Sequence, residues 1–334
     1  MFGYSAISCI LLAVAAFLSA CHADPLLQQS NVGTDKQKTV QQKTVRQKTA
    51  EQSFIRLKEA GLPNAIQVRP DLISGGQPSS TDGFRSLAKL GIKTIVSVDG
   101  ICPDLNSAKG YGFRYIHQPL GYQGISADDT QTLAHIILKF DAPIYIHCHH
   151  GQHRSPAAAA AACVTAGLMT NERAVKFLKK AGTGSEYQGL FKAVADAKPI
   201  PAAQLIQLKP TLPERADVAK LVDVMVQLDK NLSQLNSLLK SPSTLSANQR
   251  SVALERATVL HDHFTELIRS PQHSASDLRF RKLLLTSQKT SEKIRQFLKA
   301  KPARAVSPQQ TVAVTSLLKQ VSDQCNQCHG TFRH

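Results

Sequence analysis

Two short stretches of the chain hold most of the side chains able to react. The first is His147-Cys148-His149-His150-Gly151-Gln152-His153-Arg154-Ser155. A match to HCxxGxxR is expected by chance on the order of 10⁻³ times in a chain of this composition. Pro143 to His147, a short apolar run, precedes it. Ser155-Pro156 and the alanines 157 to 162 follow, with Ser155 as the expected helix cap and Pro156 in the first turn. A loop between strand and helix turns its N–H groups inward and forms an anion cradle at the positive helix end. There Cys148 is expected as a stabilised thiolate and nucleophile. Arg154 offers a planar fork to two anion oxygens, which Lys would not match. Gly151 permits close backbone approach, and Ser155 is placed to hydrogen-bond the sulfur. His149, His150, Gly151, Gln152, His153 and Arg154 are the substrate-binding candidates. The histidines at 147, 149, 150 and 153 also admit a metal-site reading, against which neighbours in a tight loop point in different directions.

The second stretch is Cys325-Asn326-Gln327-Cys328-His329. CxxCH is the spacing of covalent c-type haem attachment, in which both thiols add to haem vinyl groups and the histidine becomes an axial iron ligand. A disulfide or a zinc site is the alternative for the two thiols, although no second cysteine pair lies nearby.

The elements that must position these residues follow from periodicity. Ile66 to Ser74, Lys93 to Val98, Phe113 to His117 and Pro143 to His147 read as strands. Thr81 to Leu90 and Ser126 to Phe140 read as helices. The alternation predicts a mainly parallel sheet flanked by helices. Beyond a boundary near residue 205, marked by Pro210 and Pro213, four longer stripes appear. They run Leu221, Met225, Leu228, Leu232, Leu235, Leu239; then Leu254, Ala257, His261, Phe264, Ile268; then Phe280, Leu283, Leu284, Ile294, Phe297, Leu298; and finally Val314, Leu317, Leu318, Val321, Cys325. Broken at Pro242, Pro271 and Pro302, they predict an all-α four-helix bundle.

The first stretch resembles the cysteine-dependent protein tyrosine and dual-specificity phosphatases. Ile73-Ser74-Gly75-Gly76-Gln77-Pro78 and Leu90-Gly91-Ile92-Lys93-Thr94-Ile95-Val96 extend the likeness, which covers roughly residues 60 to 195. The resemblance implies hydrolysis of a phosphate monoester through a phosphocysteine on Cys148. That family also uses an aspartic general acid, and here the sequence departs from it. Gln118 to Ser126 contains no carboxylate, and Asp128 is the candidate beyond it, with Asp129 beside it. Both acids also suit the first turn of a helix capped by Ser126. The second stretch, in the last helix of a bundle, resembles the cytochrome c-prime class over roughly residues 212 to 334. The implied cofactor is covalently bound haem c on Cys325, Cys328 and His329. Met225 is a candidate sixth iron ligand or a packing residue of its leucine stripe. His261 reads as a satisfied core histidine more than a ligand.

The chain has 334 residues, 42% hydrophobic and 19% charged, enough for two cores and too apolar for a wholly disordered chain. Ile7 to Ala20 is too short to span a bilayer and reads as a signal segment of residues 1–23. Leu18-Ser19-Ala20-Cys21 resembles a lipobox that would lipidate Cys21, with cleavage after Ala23 or a buried N-terminal helix as competitors. Residues 24–53, with Gln-Lys-Thr recurring at 37, 42 and 47, read as a disordered basic tether that either stays solvated or rests on anionic lipid. The expected organisation is then an α/β domain at 54–204 and a haem bundle at 205–334. Forty Lys and Arg against 24 Asp and Glu give +16. Nine basic residues fall between Arg279 and Arg304 with Glu292 the only acid, a solvated face or a docking patch for an acidic redox partner.

Together these features predict an exported, periplasmic phosphatase fused to a haem domain for electron transfer or redox and gas sensing. Its partners would be a phosphorylated substrate, a redox protein and a membrane reached by a lipid anchor, with no nucleic acid. The alternative is a haem electron-transfer or sensor protein whose α/β domain binds anions without catalysis. A coupling of the two would run through oxidation of Cys148, paired with Cys163 or Cys102.

Overall fold

The strand-forming segments of the first half assemble into one six-stranded mixed sheet. The structure, a computed structural model, describes residues 53–218, 221–239, 245–270, 277–299 and 308–332. The signal segment with Cys21, the tether as far as residue 52, and Pro242, Pro271 and Pro302 lie outside the described residues. The strands are β1 (Ile55–Arg56), β2 (Ile66–Arg69), β3 (Leu72–Gly76), β4 (Thr94–Ser97), β5 (Arg114–His117) and β6 (Ile144–Cys148), in spatial order β1-β2-β3-β6-β4-β5. Neighbours among β3, β6, β4 and β5 run parallel, while β1 and β2 add antiparallel at one edge. The single strand expected over Ile66 to Ser74 is a hairpin instead. Arg69 pairs with Leu72 across a turn made by Pro70 and Asp71, and Arg69 Nε donates to Asp71 Oδ1 at 2.9 Å. Proline has no ladder N–H and fixes the bend.

Side chains alternate across the sheet with the period of two that a pleat imposes. Leu72, Val96, Ile116, Ile144 and Ile146 enter one apolar cluster, and Ile73, Ile95, Tyr115 and Tyr145 enter another. The helices are α1 (Ser80–Lys89), α2 (Leu105–Ala108), α3 (Ala127–Lys139), α4 (Arg154–Thr165), α5 (Asn171–Ala181), α6 (Gln188–Asp196) and α7 (Ala202–Gln207). Those expected near 81–90 and 126–140 are α1 and α3, and the Ser126 hydroxyl caps α3 by accepting the Asp129 N–H at 3.0 Å. Every residue of α4 is buried, and its alanines allow close packing without large side chains. Its cap differs from expectation. His153 is the N-cap and makes no side-chain cap bond, so Ser155 is free for the sulfur and Pro156 still falls in the first turn.

The four expected stripes become α8 (Leu221–Leu239), α9 (Ala247–Arg269), α10 (Leu278–Lys299) and α11 (Pro308–Phe332). Ser246 and Gln249 start α9 with a reciprocal capping box. Leu228, Leu235, Leu260, Phe264, Leu284, Ile294, Val314 and Leu318 share one apolar core. Each helix packs on two of the others, α8 on α9, α9 on α10, α10 on α11 and α11 on α8. Between the regions, the connecting segment stays on the α/β side. Leu205 is buried with its carbonyl 2.8 Å from His135 Nδ1, and Pro213 accepts the His117 N–H at 2.8 Å. The described residues of both regions belong to one structural unit. Among them, no helix is long and apolar enough to cross a membrane.

Candidate functional site

Central strand β6 ends on Cys148, which is 2% exposed and lies at the carboxyl end of the parallel strands, where open α/β sheets place their sites. The loop then turns sharply into α4. Gly151 has φ of +72°, and a Cβ on it would lie 2.3 Å from the Gly76 nitrogen, so no other residue fits there. Three bonds fasten the loop. Gln77 N–H donates to His149 O at 3.0 Å, Asn64 Nδ2 to Gly151 O at 2.7 Å and Thr183 Oγ1 to Gln152 O at 2.6 Å.

Cys148 Sγ lies 3.3 Å from Ser155 Oγ, which also donates to Gly75 O at 2.8 Å. A hydroxyl has one hydrogen, so it serves either the carbonyl or the sulfur, and the choice changes with the charge on sulfur. The histidines have separate partners. His147 Nε2 is 2.6 Å from the Tyr115 hydroxyl, and burial pulls its pKa down to about 4. His153 stacks on Tyr187 at 4.0 Å, and burial pulls it down to about 3. The His149 ring lies 4.0 Å from that of His150 at a tilt of 47°, and burial, then the charge of Arg269, holds His149 down to about 4. Among the described residues no group of three or more His, Cys, Asp or Glu is arranged to hold a metal ion.

Arg154 is 1% exposed and its terminal nitrogens are gripped from two sides. Nη2 donates to Asp99 Oδ1 at 3.0 Å, and Nη1 to Leu120 O at 3.2 Å and Glu266 Oε1 at 2.5 Å. Nε has no hydrogen-bond partner among the described residues. The Tyr122 ring covers the guanidinium carbon at 4.1 Å. Arg269 donates to Asp99 Oδ2 at 2.8 Å and to Gln77 Oε1 at 3.2 Å. Burial alone would raise the Asp99 pKa, but Arg154 and Arg269 outweigh it and hold the carboxyl well below its usual range. Glu266 moves the other way, because burial outweighs Arg154. Asp262, one turn earlier on α9, accepts from the Tyr187 hydroxyl at 2.9 Å, and burial pushes it up to about 7.

Sequence reasoning located Cys148, Gly151, Arg154 and Ser155 and missed Asp99, Tyr122, Glu266 and Arg269. Asp99 was within reach, being a carboxylate just past the end of a parallel strand. Glu266 and Arg269 resemble any charged helix face and carried no signal. Asp128 is exposed in the first turn of α3 and makes no hydrogen bond or ion pair with Cys148 or Arg154. Part of the basic run is paired within the molecule: exposed Lys299 lies 2.9 Å and Arg295 3.9 Å from buried Glu186, and Arg295 also holds Glu292. Cys163 is fully buried in α4, which pushes its thiol up to about 12. It follows Ser155 by eight residues, roughly 12 Å of helix, too far for a disulfide to Cys148 without rearrangement.

In the helical region Cys325, Cys328 and His329 follow one another on α11 at i, i+3 and i+4, and both thiols are unbonded. They line a cavity with Met225, Leu228 and Leu232 of α8, Leu260 and Phe264 of α9 and Leu283 of α10. The donor set and apolar walls fit a haem, and Met225 lies on the lining. The volume, about 70 Å³, is below the roughly 300–1,000 Å³ of ordinary ligand pockets, so binding requires the helices to move apart. His261 is directed elsewhere, with Nδ1 3.3 Å from Gln288 O.

No protein-family model matches the chain, and no curated protein matches it. Among solved structures, P. aeruginosa TpbA is similar with a TM-score of 0.40 and 17% identity over 47% of this chain and 96% of that one. TpbA in complex with pTyr gives 0.39 and 16% over 46% and 93%. A DUF442 protein from Shewanella putrefaciens CN-32 gives 0.34 and 18% over 42% and 96%.

Proposed function

We propose that the chain is an exported phosphatase that hydrolyses phosphate monoesters through a phosphocysteine and carries a covalent c-type haem on its helical region. The observation that supports the hydrolase most strongly is a buried arginine fixed at both terminal nitrogens, with Nε left unpartnered, on the same loop as a cysteine whose sulfur meets a serine hydroxyl. In the first step Cys148 attacks phosphorus as a thiolate. A sulfur–phosphorus bond forms, the ester oxygen–phosphorus bond breaks, and the alcohol or phenol leaves with a proton from water. Loop N–H groups and Arg154 hold the remaining oxygens as their charge rises. In the second step water attacks phosphorus, the sulfur–phosphorus bond breaks, phosphate leaves with the water oxygen while the water's proton passes to phosphate or solvent, and Ser155 donates a hydrogen bond to the departing thiolate. Among the described residues Asp128 makes no bond to Cys148 or Arg154, and the carboxyl groups that do reach Arg154, Asp99 and Glu266, are engaged in ion pairs, so aryl phosphates, whose leaving groups need less protonation, are the better substrates. Phosphotyrosine is the physiological ester of that kind. Cys148→Ser removes the nucleophile and is expected to lower aryl phosphate turnover at least a thousandfold; an unchanged rate refutes the reading. Anion binding without any turnover in the wild type would instead favour a sensor whose α/β region only binds.

The second half of the proposal rests on the CxxCH face of α11 and the apolar cavity beside it. Cys325 and Cys328 would hold the haem, His329 would ligate iron and Met225 would lie on the opposite wall. A bound haem supplies one-electron redox chemistry or gas binding, and an acidic redox protein is the corresponding partner. Export suits this reading, because thioether attachment takes place outside the cytoplasm, and Cys21 would be the lipid anchor to a membrane. The test is a pyridine haemochrome spectrum of protein made with the haem-attachment machinery. A covalent c-type spectrum lost in Cys325→Ser/Cys328→Ser is expected, and its absence from the wild type overturns this half alone.

A further inference from the structure

We propose that Glu266, delivered by the helical region, is a positioning residue for the catalytic arginine of the α/β region. The proposal rests on the phosphatase reading above. A guanidinium presents its donors in one rigid plane, and two-point recognition of a phosphoryl group works only when that plane is held. Asp99 fixes Nη2 of Arg154, but it is shared with Arg269. Glu266 fixes Nη1 at 2.5 Å from a position 112 residues further along the chain. Without it, Nη1 keeps only the Leu120 carbonyl at 3.2 Å, and the plane is free to swing toward Asp99.

The arrangement is built for this contact. Residue 100, beside Asp99, is glycine, and a Cβ there would lie 2.9 Å from Glu266 Oε1. Arg269, less than one turn beyond Glu266 on α9, ties Asp99 and Gln77 together, so α9 steadies both carboxylates that grip Arg154. A carboxylate near a phosphate-binding arginine can also act as a plug that imitates the substrate. Here Arg154 Nε remains without a partner among the described residues, so one donor of the fork stays open to an oxyanion while Glu266 is engaged. Glu266 therefore grips the arginine from its far end.

The test compares the full-length wild type with Glu266→Gln and Glu266→Asp, using p-nitrophenyl phosphate for turnover and tungstate for binding. Glu266→Gln is expected to lower kcat/KM about tenfold or more and to weaken tungstate by a similar factor, as misplaced orienting groups do. The shape of the pH–rate profile should be unchanged, with Glu266→Asp in between. Should Glu266→Gln fail to fold, Glu266→Asp carries the test alone, with a severalfold loss expected. A variant as active as the wild type, or faster, overturns the proposal and makes Glu266 incidental or a plug. Loss of the basic limb of the profile overturns it in another way, because Glu266 would then be a proton donor. The hydrolase reading fails separately: a wild type that binds tungstate but hydrolyses nothing, with weaker binding in Glu266→Gln, leaves the positioning role standing. A wild type that neither binds nor hydrolyses removes both.

Discussion

Arg154 and Arg269 face Asp99 and Glu266 in a buried set of four charges whose formal sum is zero. Such a set contributes little net stability, but deleting one member leaves an uncompensated charge and costs about 3–5 kcal/mol. Truncating a member of this set to alanine therefore mixes folding with catalysis, whereas Ser155 carries no charge and separates them cleanly. Its hydroxyl lies between Gly75 O and Cys148 Sγ, and it becomes useful when sulfur carries charge at the end of the second step. Ser155→Ala is expected to leave the first step nearly intact and to slow release of phosphate from the cysteine about tenfold or more. Rapid mixing with p-nitrophenyl phosphate should then show a burst of one equivalent of phenol followed by a slow steady rate. A steady rate equal to the wild type would place the hydroxyl outside the reaction.

At the scale of elements, what the sequence revealed depended on whether the partners of a residue are near it in the chain. Cys148, Gly151, Arg154 and Ser155 fall within eight consecutive positions, and their spacing alone defines the loop. Strands β4, β5 and β6 and the four long helices were legible because their apolar residues repeat with the period of the element. The β2–β3 hairpin was hidden because Ile66, Val68, Leu72 and Ile73 are all apolar and buried, so the run looks continuous across Pro70 and Asp71. The cap of α4 was misread for a related reason: Ser155 has the right side chain for a cap, yet its hydroxyl is drawn to Gly75 and the sulfur, and the helix starts one residue earlier. Glu266, Arg269, Arg295 and Lys299 were beyond reach, because no local pattern reveals which distant surface a charged helix face will meet. The excess of basic residues in the second half thus acts partly inside the molecule, against Asp99 and Glu186.

Across the whole molecule the buried histidines set the response to acid. Burial pulls His147, His149 and His263 down to about 4 and His153 to about 3, so all four are neutral when folded and take up protons near 6.5 when unfolded. Between those values the unfolded chain binds more protons, so their contribution is complete above about pH 6.5 and is lost as pH falls toward 4. Asp262, raised to about 7, and Glu266, also raised, act in the opposite sense and favour the fold as pH falls. Burial also lowers His117, His150 and His261, so the histidines outweigh the two carboxylates and leave a net loss, at roughly 1.4 kcal/mol for each unit of separation in a buried group and less for partly solvated His149. The thermal midpoint is therefore expected to drop by several degrees from pH 7 to pH 5, and a flat or rising midpoint contradicts this accounting.

The 112 positions between Arg154 and Glu266 also have a meaning in time. A chain emerging from the ribosome completes the cysteine loop long before it makes α9, and α9 then needs α10 to bury its apolar stripe. Contacts so distant in sequence form late in folding. For that interval the nucleophile exists while its arginine has only part of its support. On the proposed mechanism the loop reaches its full rate only after α9 has docked, and a truncated chain would be slower by the factor that Glu266 supplies.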